Sequence, residues 1–580
     1  MFSRIINVIL TVSSVLLFCS GYAESASSET DIPYLKKAGK AVQLIVDNEP
    51  FVMLAGEVHN SSSSSLEYME PIWDKLVLLN LNTVLAPVTW QQTEPEEGKF
   101  DFRIVDGLIN AARAHNLRLV FLWFGSWKNT ISCYVPDWVK KDTERFKRIK
   151  RNSPLTLRER WGFGKKLEVI SPFCEAACEA DKQAFAALMR HIREVDGDKH
   201  TVIMVQVENE TGILGDSRDR SLLSEEAFSK PVPSELLQYL QNHKDSILPE
   251  LREIWAINGF RTNGNWTEVF GDGPYTDEIF MAWHIGRYVD EIAKAGKAEY
   301  ALPMFVNAWL INEDLKGLPD KLPEQLENIS KPSVPLTELP GEYPSGGPVS
   351  KMMDVWRAAA PNIDILAPDI YISHFKYICS KYTRSGNPLL IPEANRKTEP
   401  ASKVLYAVAE YDAICFAPFG IDNKDFSSEH PLGRIYKLLN DLMHVIGKYH
   451  GTEKMRGFLE FDEENTTIDI GDYRFNIDFK SPYMQEVEDA GKGCGLIIAT
   501  TSNEFLITGL DFLVTFASNN KELPHAGILS IEEGRYENEK WVPGRVLNGD
   551  ETGHGTELGF PSELARNGLP IRKVRLYCFK

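Results

Sequence analysis

Residues 201–210 read TVIMVQVENE. The first seven are mostly apolar, which is typical of a strand that is buried on both faces of a parallel sheet. Three polar residues, Glu208, Asn209 and Glu210, follow directly where the apolar run stops. The stretch therefore predicts an α/β protein that presents polar side chains at the carboxyl end of a buried strand.

Seven further apolar runs occur between about residues 50 and 425, separated by longer helical stretches. One predicted helix covers 277–295, with Thr276 as its N-cap. Eight strands alternating with helices predict a (β/α)8 barrel with elaborated loops. A doubly wound open sheet is the alternative, but the absence of a Gly-x-Gly-x-x-Gly turn after an early strand disfavours its dinucleotide-binding form. The predicted strands are 51–59, 82–90, 117–127, 201–210, 301–309, 363–371, 388–395 and 413–422.

Beyond residue 450 the pattern changes to short strands and turns. Residues 573–578 read KVRLYC, in which polar and apolar side chains alternate as in a half-buried strand. We predict a carboxyl-terminal β-sandwich-like domain over 451–580, after a catalytic barrel over 24–450. Two roles remain open for it: a module that stabilises the barrel, or a carbohydrate-binding module.

The amino terminus has the pattern of an export signal. Arg4 precedes a mostly apolar run over 5–18, and Gly21-Tyr22-Ala23 offers small residues for cleavage. We predict a signal peptide over 1–23, cleavage near Ala23, and a periplasmic or secreted protein. Cys19 leaves lipoprotein anchoring as an alternative, whereas no later stretch is apolar for long enough to span a bilayer.

Composition excludes several classes of function. The 580 residues include 63 Lys and Arg against 82 Asp and Glu, a formal charge of −19. Such a surface repels nucleic acid and anionic lipid. Seven cysteines after the signal are too scattered for a disulfide framework, although Cys174 and Cys178 are close enough for one bridge or for a shared helix face. Without Cys-x-x-Cys or His-x3-His spacing, no metal is predicted, and no organic cofactor is expected.

Two strand ends offer paired carboxylates. The fourth predicted strand ends in Glu208-Asn209-Glu210 and the seventh in Pro392-Glu393. Because these strands lie on opposite sides of a barrel mouth, Glu210 and Glu393 can face each other across a sugar. Glycoside hydrolysis needs one protonated and one ionised carboxyl group, and a separation of about 5 to 5.5 Å gives retention through a covalent intermediate.

The motif QVENE at 206–210 resembles the Gln-[Ile/Val]-Glu-Asn-Glu motif of family 35 glycoside hydrolases, the β-galactosidases of clan A. The segment WQQTEPEEGKFDF at 90–102 is similar to that family's Trp-Asn-x-His-Glu-Pro-x-x-Gly-x-Phe-Asp-Phe block, and GEVH at 56–59 to its Gly-Ser-Ile-His. Residues 532–551 resemble a domain found on a bacterial branch of these enzymes. The resemblance thus covers parts of both predicted domains.

This resemblance implies roles for individual residues. It makes Glu210 the acid/base, Glu393 the nucleophile and Asn209 the residue that binds the sugar 2-hydroxyl. Tyr371 corresponds to a tyrosine beside the nucleophile. Glu208 is interpreted as a supporting residue that faces away from Glu210 along an extended strand.

The sugar-binding residues depart from the family. At 87–91 the chain reads PVTWQ where the family has Tyr-Val-Pro-Trp-Asn, and at 125–129 it reads GSWKN where the family has a glutamate that binds galactose hydroxyls. Asn129 is the nearest polar substitute for that glutamate. Glu57, His59 and Trp309 are further predicted substrate-binding residues.

The resemblance implies a retaining exo-β-galactosidase. It would release terminal β-D-galactose from oligosaccharides or polysaccharide side chains, with galactosylated xyloglucan fragments as candidate substrates. A family 42-like or other clan A β-glycosidase is an alternative, because the Glu-Pro-x-x-Gly-x-Phe-Asp-Phe block occurs in more than one family. A non-catalytic carbohydrate-binding protein is the alternative from another class.

Overall fold

A computed structural model describes residues 32–152, 168–311, 339–371, 374–395, 400–423, 430–461, 465–480, 492–561 and 568–580. The predicted signal peptide, with Cys19 and Ala23, lies outside these residues. Export and the cleavage position therefore stay predictions.

The described chain begins with a three-stranded antiparallel sheet that sequence analysis did not predict. Its strands are β1 (Tyr34–Ala38), β2 (Ala41–Val46) and β3 (Glu49–Phe51). Leu44 and Val46 of β2 pack in one apolar cluster with Met53, Ile203 and Leu390, which lie at the beginnings of barrel strands. The sheet therefore covers the end of the barrel opposite to the predicted site.

Eight parallel strands form the barrel, so the predicted (β/α)8 architecture is confirmed. The sheet order is β10-β11-β4-β5-β6-β7-β8-β9. The circle closes where the Ile370 amide donates to the Glu393 carbonyl at 2.8 Å. The barrel strands are β4 (Met53–Glu57), β5 (Thr83–Thr89), β6 (Arg118–Lys128), β7 (Val202–Asn209), β8 (Met304–Trp309), β9 (Ile365–Asp369), β10 (Leu390–Ala394) and β11 (Cys415–Pro418).

The observed strands are mostly shorter than the predicted ones. The run at 51–59 divides, because Phe51 ends β3 and only Met53–Glu57 joins the barrel. The run at 413–422 leaves the sheet at Pro418, and Ile421–Asn423 form a 3-10 turn. Apolar side chains in the adjoining loops are buried as well as those in the strands, so the apolar pattern overstates strand length.

The helices lie between and beyond the barrel strands. The predicted helix 277–295 begins earlier, at Pro274, and Thr276 lies inside it, where its hydroxyl donates to the Gly271 carbonyl at 2.8 Å. Proline suits the first helical position because its φ is already helical. The helices are α1 (Leu66–Leu78), α2 (Trp90–Thr93), α3 (Arg103–Ala114), α4 (Asp137–Lys141), α5 (Glu175–Asp196), α6 (Leu222–Ser229), α7 (Ser234–Asn242), α8 (Pro249–Ala256), α9 (Trp266–Phe270), α10 (Pro274–Glu299), α11 (Met353–Ala359), α12 (Phe375–Tyr382), α13 (Pro400–Tyr411), α14 (Pro431–Asp441) and α15 (Met443–Tyr449).

One sequence-based alternative is settled here. Cys174 and Cys178 are both free thiols, so the bridge between them is not formed; Cys174 precedes α5 and Cys178 lies within it. Among the residues that the structure describes, no helix combines the length and apolar character that a bilayer crossing requires.

The carboxyl-terminal strands form two antiparallel sheets with a shared apolar core, as predicted for a sandwich-like fold. Their orders are β12-β15-β16-β21-β18-β19 and β13-β14-β17-β20. Phe475, Ile507, Val514 and Leu576 lie in the core between the sheets. The strands are β12 (Met455–Leu459), β13 (Asn465–Ile470), β14 (Tyr473–Asp478), β15 (Cys494–Ala499), β16 (Glu504–Leu510), β17 (Phe512–Ser518), β18 (His525–Glu537), β19 (Lys540–Leu547), β20 (Glu557–Phe560) and β21 (Ile571–Phe579).

The larger sheet packs on the barrel. Arg456 of β12 forms a bidentate ion pair with Glu410 of α13, with both N–O distances at 2.9 Å. Leu496 and Leu506 belong to the same apolar cluster as Val404 of α13. The carboxyl-terminal domain therefore covers a helix on the barrel's outer wall.

Candidate active site

The end of β7 departs from a regular strand at two glutamates. Glu208 has a φ of 63° and Glu210 a φ of 43°, both in the left-handed region. In a regular strand, residues two apart share a face, so an extended strand would turn Glu208 and Glu210 the same way. The expectation that strand alternation separates them was therefore wrong. The left-handed residues break the alternation, and the two carboxyl groups reach different partners.

Three buried carboxyl groups meet at the carboxyl ends of β7, β9 and β10. Oxygens of Glu210, Asp369 and Glu393 lie within 4.8 Å of one another. Both oxygens of Glu393 are held: Tyr371 Oη donates to Oε2 at 2.6 Å, and Asn209 Nδ2 donates to Oε1 at 3.3 Å. Four of the predicted site residues are thus brought together around one carboxylate pair.

Asn129 holds the other member of the pair. It follows β6, and its Nδ2 donates a hydrogen bond to Glu210 Oε2. Asn129 has a φ of 48° and Thr130 a φ of 61°, so the chain turns sharply after the strand. This turn directs the Asn129 amide toward the predicted acid/base residue.

Three further site residues were not identified from sequence. Asn307 of β8 accepts from the Glu210 backbone amide at 2.9 Å and donates to Asp369 at 2.8 Å. Lys128, the last residue of β6, is buried, and its Nζ donates to Asn209 Oδ1 at 2.9 Å. Asp369 is the last residue of β9. A charged residue at the carboxyl end of a barrel strand indicates a site residue. Lys128 and Asp369 both have this position, as Glu393 does, so the sequence carried a signal for them.

Burial and mutual repulsion keep protons on this cluster. Burial raises the pKa of Glu210 to about 7, and the Glu393 charge adds to the effect. The same causes raise the pKa values of Glu57 and Asp369 well above their usual range. Burial lowers the pKa of Lys128, but the surrounding carboxyl groups outweigh burial and leave that pKa raised. The site therefore holds a buried cation among carboxyl groups, three of which ionise less readily than usual.

The remaining predicted residues lie at the same mouth. Glu57 ends β4, is fully buried, and its two carboxyl oxygens have no hydrogen-bond partner among the described residues. The His59 backbone amide donates to Asp422 at 2.9 Å, and its ring meets Phe419 edge-on at 4.9 Å between centroids. Trp309 ends β8 and is partly exposed. Tyr371 is 43% exposed, although its hydroxyl is directed inward to Glu393.

A second carboxyl pair anchors the turn that bears Lys128 and Asn129. Glu208 accepts from the backbone amides of Ser126, at 3.0 Å, and Trp127, at 2.7 Å. Asp181 of α5 accepts from the same Ser126 amide at 3.0 Å. Both side chains are fully buried, and burial followed by the Asp181 charge raises the Glu208 pKa well above its usual range. We therefore expect one proton to remain on this pair at neutral pH.

Gly125 makes room for that anchor. A Cβ at this position would lie 2.7 Å from both the Asp181 and Glu208 oxygens and 2.4 Å from the Trp123 ring nitrogen. Such approaches are shorter than any side-chain carbon tolerates, so only glycine fits between the two carboxyl groups.

The Glu208 anchor leads to a first prediction. In Glu208→Gln, residue 208 can no longer accept from both the Ser126 and the Trp127 amides, because a side-chain amide has a single oxygen. We expect the free energy of unfolding to fall by about 1–3 kcal/mol and kcat to fall about tenfold as the turn loosens. Urea unfolding and steady-state kinetics measure the two effects. Glu194→Gln on exposed α5 surface is the matched control, and equal results for the two variants would contradict the anchoring role.

Residues 63–269 match a family 42 glycoside hydrolase model described as beta-galactosidase. The matched segment contains Glu210 but not Glu393. It supports a glycoside hydrolase of clan A with a carbohydrate substrate. Family 42 is the family indicated, and the resemblance to family 35 specifically receives no support. Residues 432–559 match a family described as a domain of unknown function (DUF5597), and no curated protein matches the chain.

Solved structures similar to this chain include two β-galactosidases. One, from Bacillus circulans sp. alkalophilus, has 14% identity and a TM-score of 0.42, covering 68% of this chain and 57% of its own. The other, a catalytic mutant of a GH42 enzyme from G. stearothermophilus, has 15% identity and a TM-score of 0.40, covering 69% and 58%. A β-mannanase from the blue mussel Mytilus edulis has 12% identity and a TM-score of 0.39, covering 73% and 99%. The chain thus spans under two thirds of the length of either β-galactosidase.

Proposed function

We propose that this protein is a retaining β-glycosidase of the family 42 type that hydrolyses β-galactosides. The carboxylate spacing supports the proposal most directly, since oxygens of Glu210 and Glu393 lie within 4.8 Å of each other. Retaining glycosidases hold their carboxyl groups about 5 to 5.5 Å apart, whereas inverting enzymes need about 6.5 to 9.5 Å to admit a water. Galactose is proposed from the family description that residues 63–269 match.

In the first half-reaction, Glu393 and Glu210 act on opposite sides of the glycosidic bond. A Glu393 oxygen attacks the anomeric carbon while the protonated Glu210 donates its proton to the departing glycosidic oxygen. The bond from carbon to the leaving oxygen breaks as the bond to Glu393 forms. The aglycone leaves as a neutral alcohol, and a covalent glycosyl-enzyme remains.

The second half-reaction reverses the role of Glu210. As a carboxylate, it removes a proton from water, and the water oxygen attacks the anomeric carbon and releases Glu393. The sugar leaves with its original configuration, and Glu210 is again protonated, now by the proton taken from water. A pKa of about 7 suits both roles, because the group must be acid and base in turn near neutral pH.

The neighbours of Glu393 prepare it for attack. Tyr371 donates to one oxygen at 2.6 Å, and Asn209 donates to the other at a longer 3.3 Å. The Asn209 amide nitrogen therefore lies beside the nucleophile, where it can also donate to the sugar 2-hydroxyl. The specific form of the proposal is an exo-acting enzyme that releases terminal β-D-galactose from oligosaccharides or side chains such as galactosylated xyloglucan fragments.

A substitution of Asn129 tests how the surroundings of Glu210 set its pKa. Asn129→Gly removes the hydrogen bond to Glu210 and keeps a backbone that accepts the φ of 48°. That hydrogen bond lowers the Glu210 pKa, so its loss should move the alkaline limb of the kcat/KM profile to higher pH. We expect kcat to fall about tenfold. A profile whose alkaline limb does not move would contradict the contact's role.

Hydrolysis of a panel of aryl β-glycosides tests the proposed function. The panel holds the galactoside, glucoside, arabinoside, mannoside and fucoside, and proton NMR follows the anomer first released. The proposal predicts preference for the galactoside and initial release of the β-anomer. Preference for another sugar would keep the reaction and replace the substrate, whereas initial release of the α-anomer would overturn the retaining mechanism.

A further inference from the structure

Lys128 lies at the centre of the site, although neither reaction step assigns it a role. It ends β6 and is buried among carboxyl groups from four other strand ends: Glu57, Glu210, Asp369 and Glu393. Asp422, after β11, adds a further acidic group near Glu57. The Lys128 ammonium also lies 5.0 Å from the centre of the Phe124 ring.

The contact of Lys128 with Asn209 fixes the orientation of a side-chain amide. Nζ has only protons to offer, so the atom of Asn209 that it meets at 2.9 Å must be the oxygen. The amide nitrogen of Asn209 is then left on the side of Glu393, 3.3 Å from Oε1. Lys128, Asn209 and Glu393 therefore form a hydrogen-bonded chain with one direction, from the cation to the nucleophile.

The charge of Lys128 balances the cluster. Four buried carboxyl groups so close together cannot all ionise, because each negative charge raises the cost of the next. Hydrolysis with retention needs one of them ionised and Glu210 protonated. One buried ammonium compensates one carboxylate, which favours this mixed state over either the fully protonated or the doubly ionised one.

We infer that Lys128 is a positioning residue that orients the Asn209 amide toward Glu393 and stabilises a single negative charge among the site carboxyl groups. The inference rests on the proposed function, because the orientation and the charge matter for turnover only if Glu393 is the nucleophile. The charge balance itself is a property of the folded protein.

Kinetics of Lys128→Met test the role in turnover. Methionine keeps an unbranched side chain of similar length without the charge, and Lys128→Arg keeps the charge. We expect Lys128→Met to reduce kcat about 100-fold with little change in KM. Both limbs of its kcat/KM profile should move to higher pH by about one unit, because every nearby carboxyl group then holds its proton more tightly. Lys128→Arg should leave the limbs in place.

A double-mutant cycle tests the link through Asn209. If Lys128 acts partly through that amide, Lys128→Met and Asn209→Ala together should cost less than the product of their separate effects on kcat. Multiplicative effects, together with unmoved pH limbs, would overturn the inference and leave Lys128 a structural residue.

Thermal melting against pH tests the charge balance without any substrate. In the folded protein the Glu210 pKa is about 7, whereas its ordinary value is about 4.5. As pH rises between these two values, the unfolded chain loses the Glu210 proton more readily than the folded protein does, so the free energy of unfolding falls. In Lys128→Met this loss continues to higher pH, so its melting temperature should fall further below that of the natural protein above pH 7. Lys294→Met, on exposed α10 surface, is the control and should show a constant difference.

The two measurements fail in distinguishable ways. If the natural protein hydrolyses no glycoside but the melting difference widens above pH 7, the proposed function is wrong and the charge-balancing role of Lys128 stands. If hydrolysis occurs but neither the pH limbs nor the melting difference responds to Lys128→Met, the inference is wrong and the proposed function stands.

Discussion

Glu393→Gln is expected to lose at least about 10⁴-fold in kcat on aryl β-galactosides, the largest effect of any single substitution in this protein. The amide cannot attack the anomeric carbon, so no glycosyl-enzyme forms. The melting temperature should change little, because another carboxyl group of the cluster can carry the negative charge that balances Lys128. Steady-state kinetics and calorimetry on the purified variant measure both quantities.

Azide rescue shows whether the loss reflects a missing nucleophile. In Glu393→Gly the vacated space admits a small anion that replaces the lost carboxylate. Because azide would then attack from the face that Glu393 normally uses, the product expected from a β-galactoside with a good leaving group is the α-galactosyl azide. A β-galactosyl azide from this variant would mean that another carboxylate had formed the covalent intermediate.

Glu210→Gln is expected to reduce kcat/KM about 10²–10⁴-fold on substrates with poor leaving groups. Dinitrophenyl galactoside, which departs without protonation, should lose much less in its first step. Burial and the Glu393 charge raise the Glu210 pKa to about 7, so the natural enzyme should lose activity as pH rises through that value and the acid deprotonates. The variant should lack this alkaline limb.

The outcome that contradicts the Glu210 assignment is equally specific. A variant that loses the same factor on good and poor leaving groups, and keeps an alkaline limb near pH 7, would move the acid/base role to another residue. Asp369 is then the candidate, because its oxygens lie within the same 4.8 Å cluster and burial raises its pKa. Glu194→Gln serves as the surface control in both assays.

The barrel could be predicted because its eight strands are short apolar runs, and burial on both faces leaves that signature in the sequence. The residue at which each strand ends could not be predicted. The stretch 504–516 reads as one apolar run, yet Asp511, with a φ of 55°, divides it into β16 and β17 in different sheets. The sequence also did not reveal the amino-terminal sheet, whose strands are short and of which β1 and β3 are only partly buried.

The site, like the fold, could be predicted only in part. Glu210 and Glu393 were found because glutamates at two opposite strand ends suit a known chemistry. Lys128 could not be predicted from its position alone, because a single lysine at a strand end usually lies in solvent, and only the folded barrel brings it among four carboxyl groups. The resemblance to family 35 rested partly on a Glu-Pro-x-x-Gly-x-Phe-Asp-Phe block that occurs in more than one family, and the matched model indicates family 42 instead.

Trapping the covalent intermediate tests whether Glu393 is the nucleophile. A 2-deoxy-2-fluoro-β-galactosyl fluoride slows both half-reactions through its C2 fluorine, while its reactive leaving group restores the first, so a glycosyl-enzyme accumulates. Mass spectrometry of peptides from the inactivated protein then locates the sugar. We expect the label on Glu393 and no label in Glu393→Gln. A label on Glu57 or Asp369, or hydrolysis of aryl galactosides that releases the α-anomer without a covalent species, would contradict it.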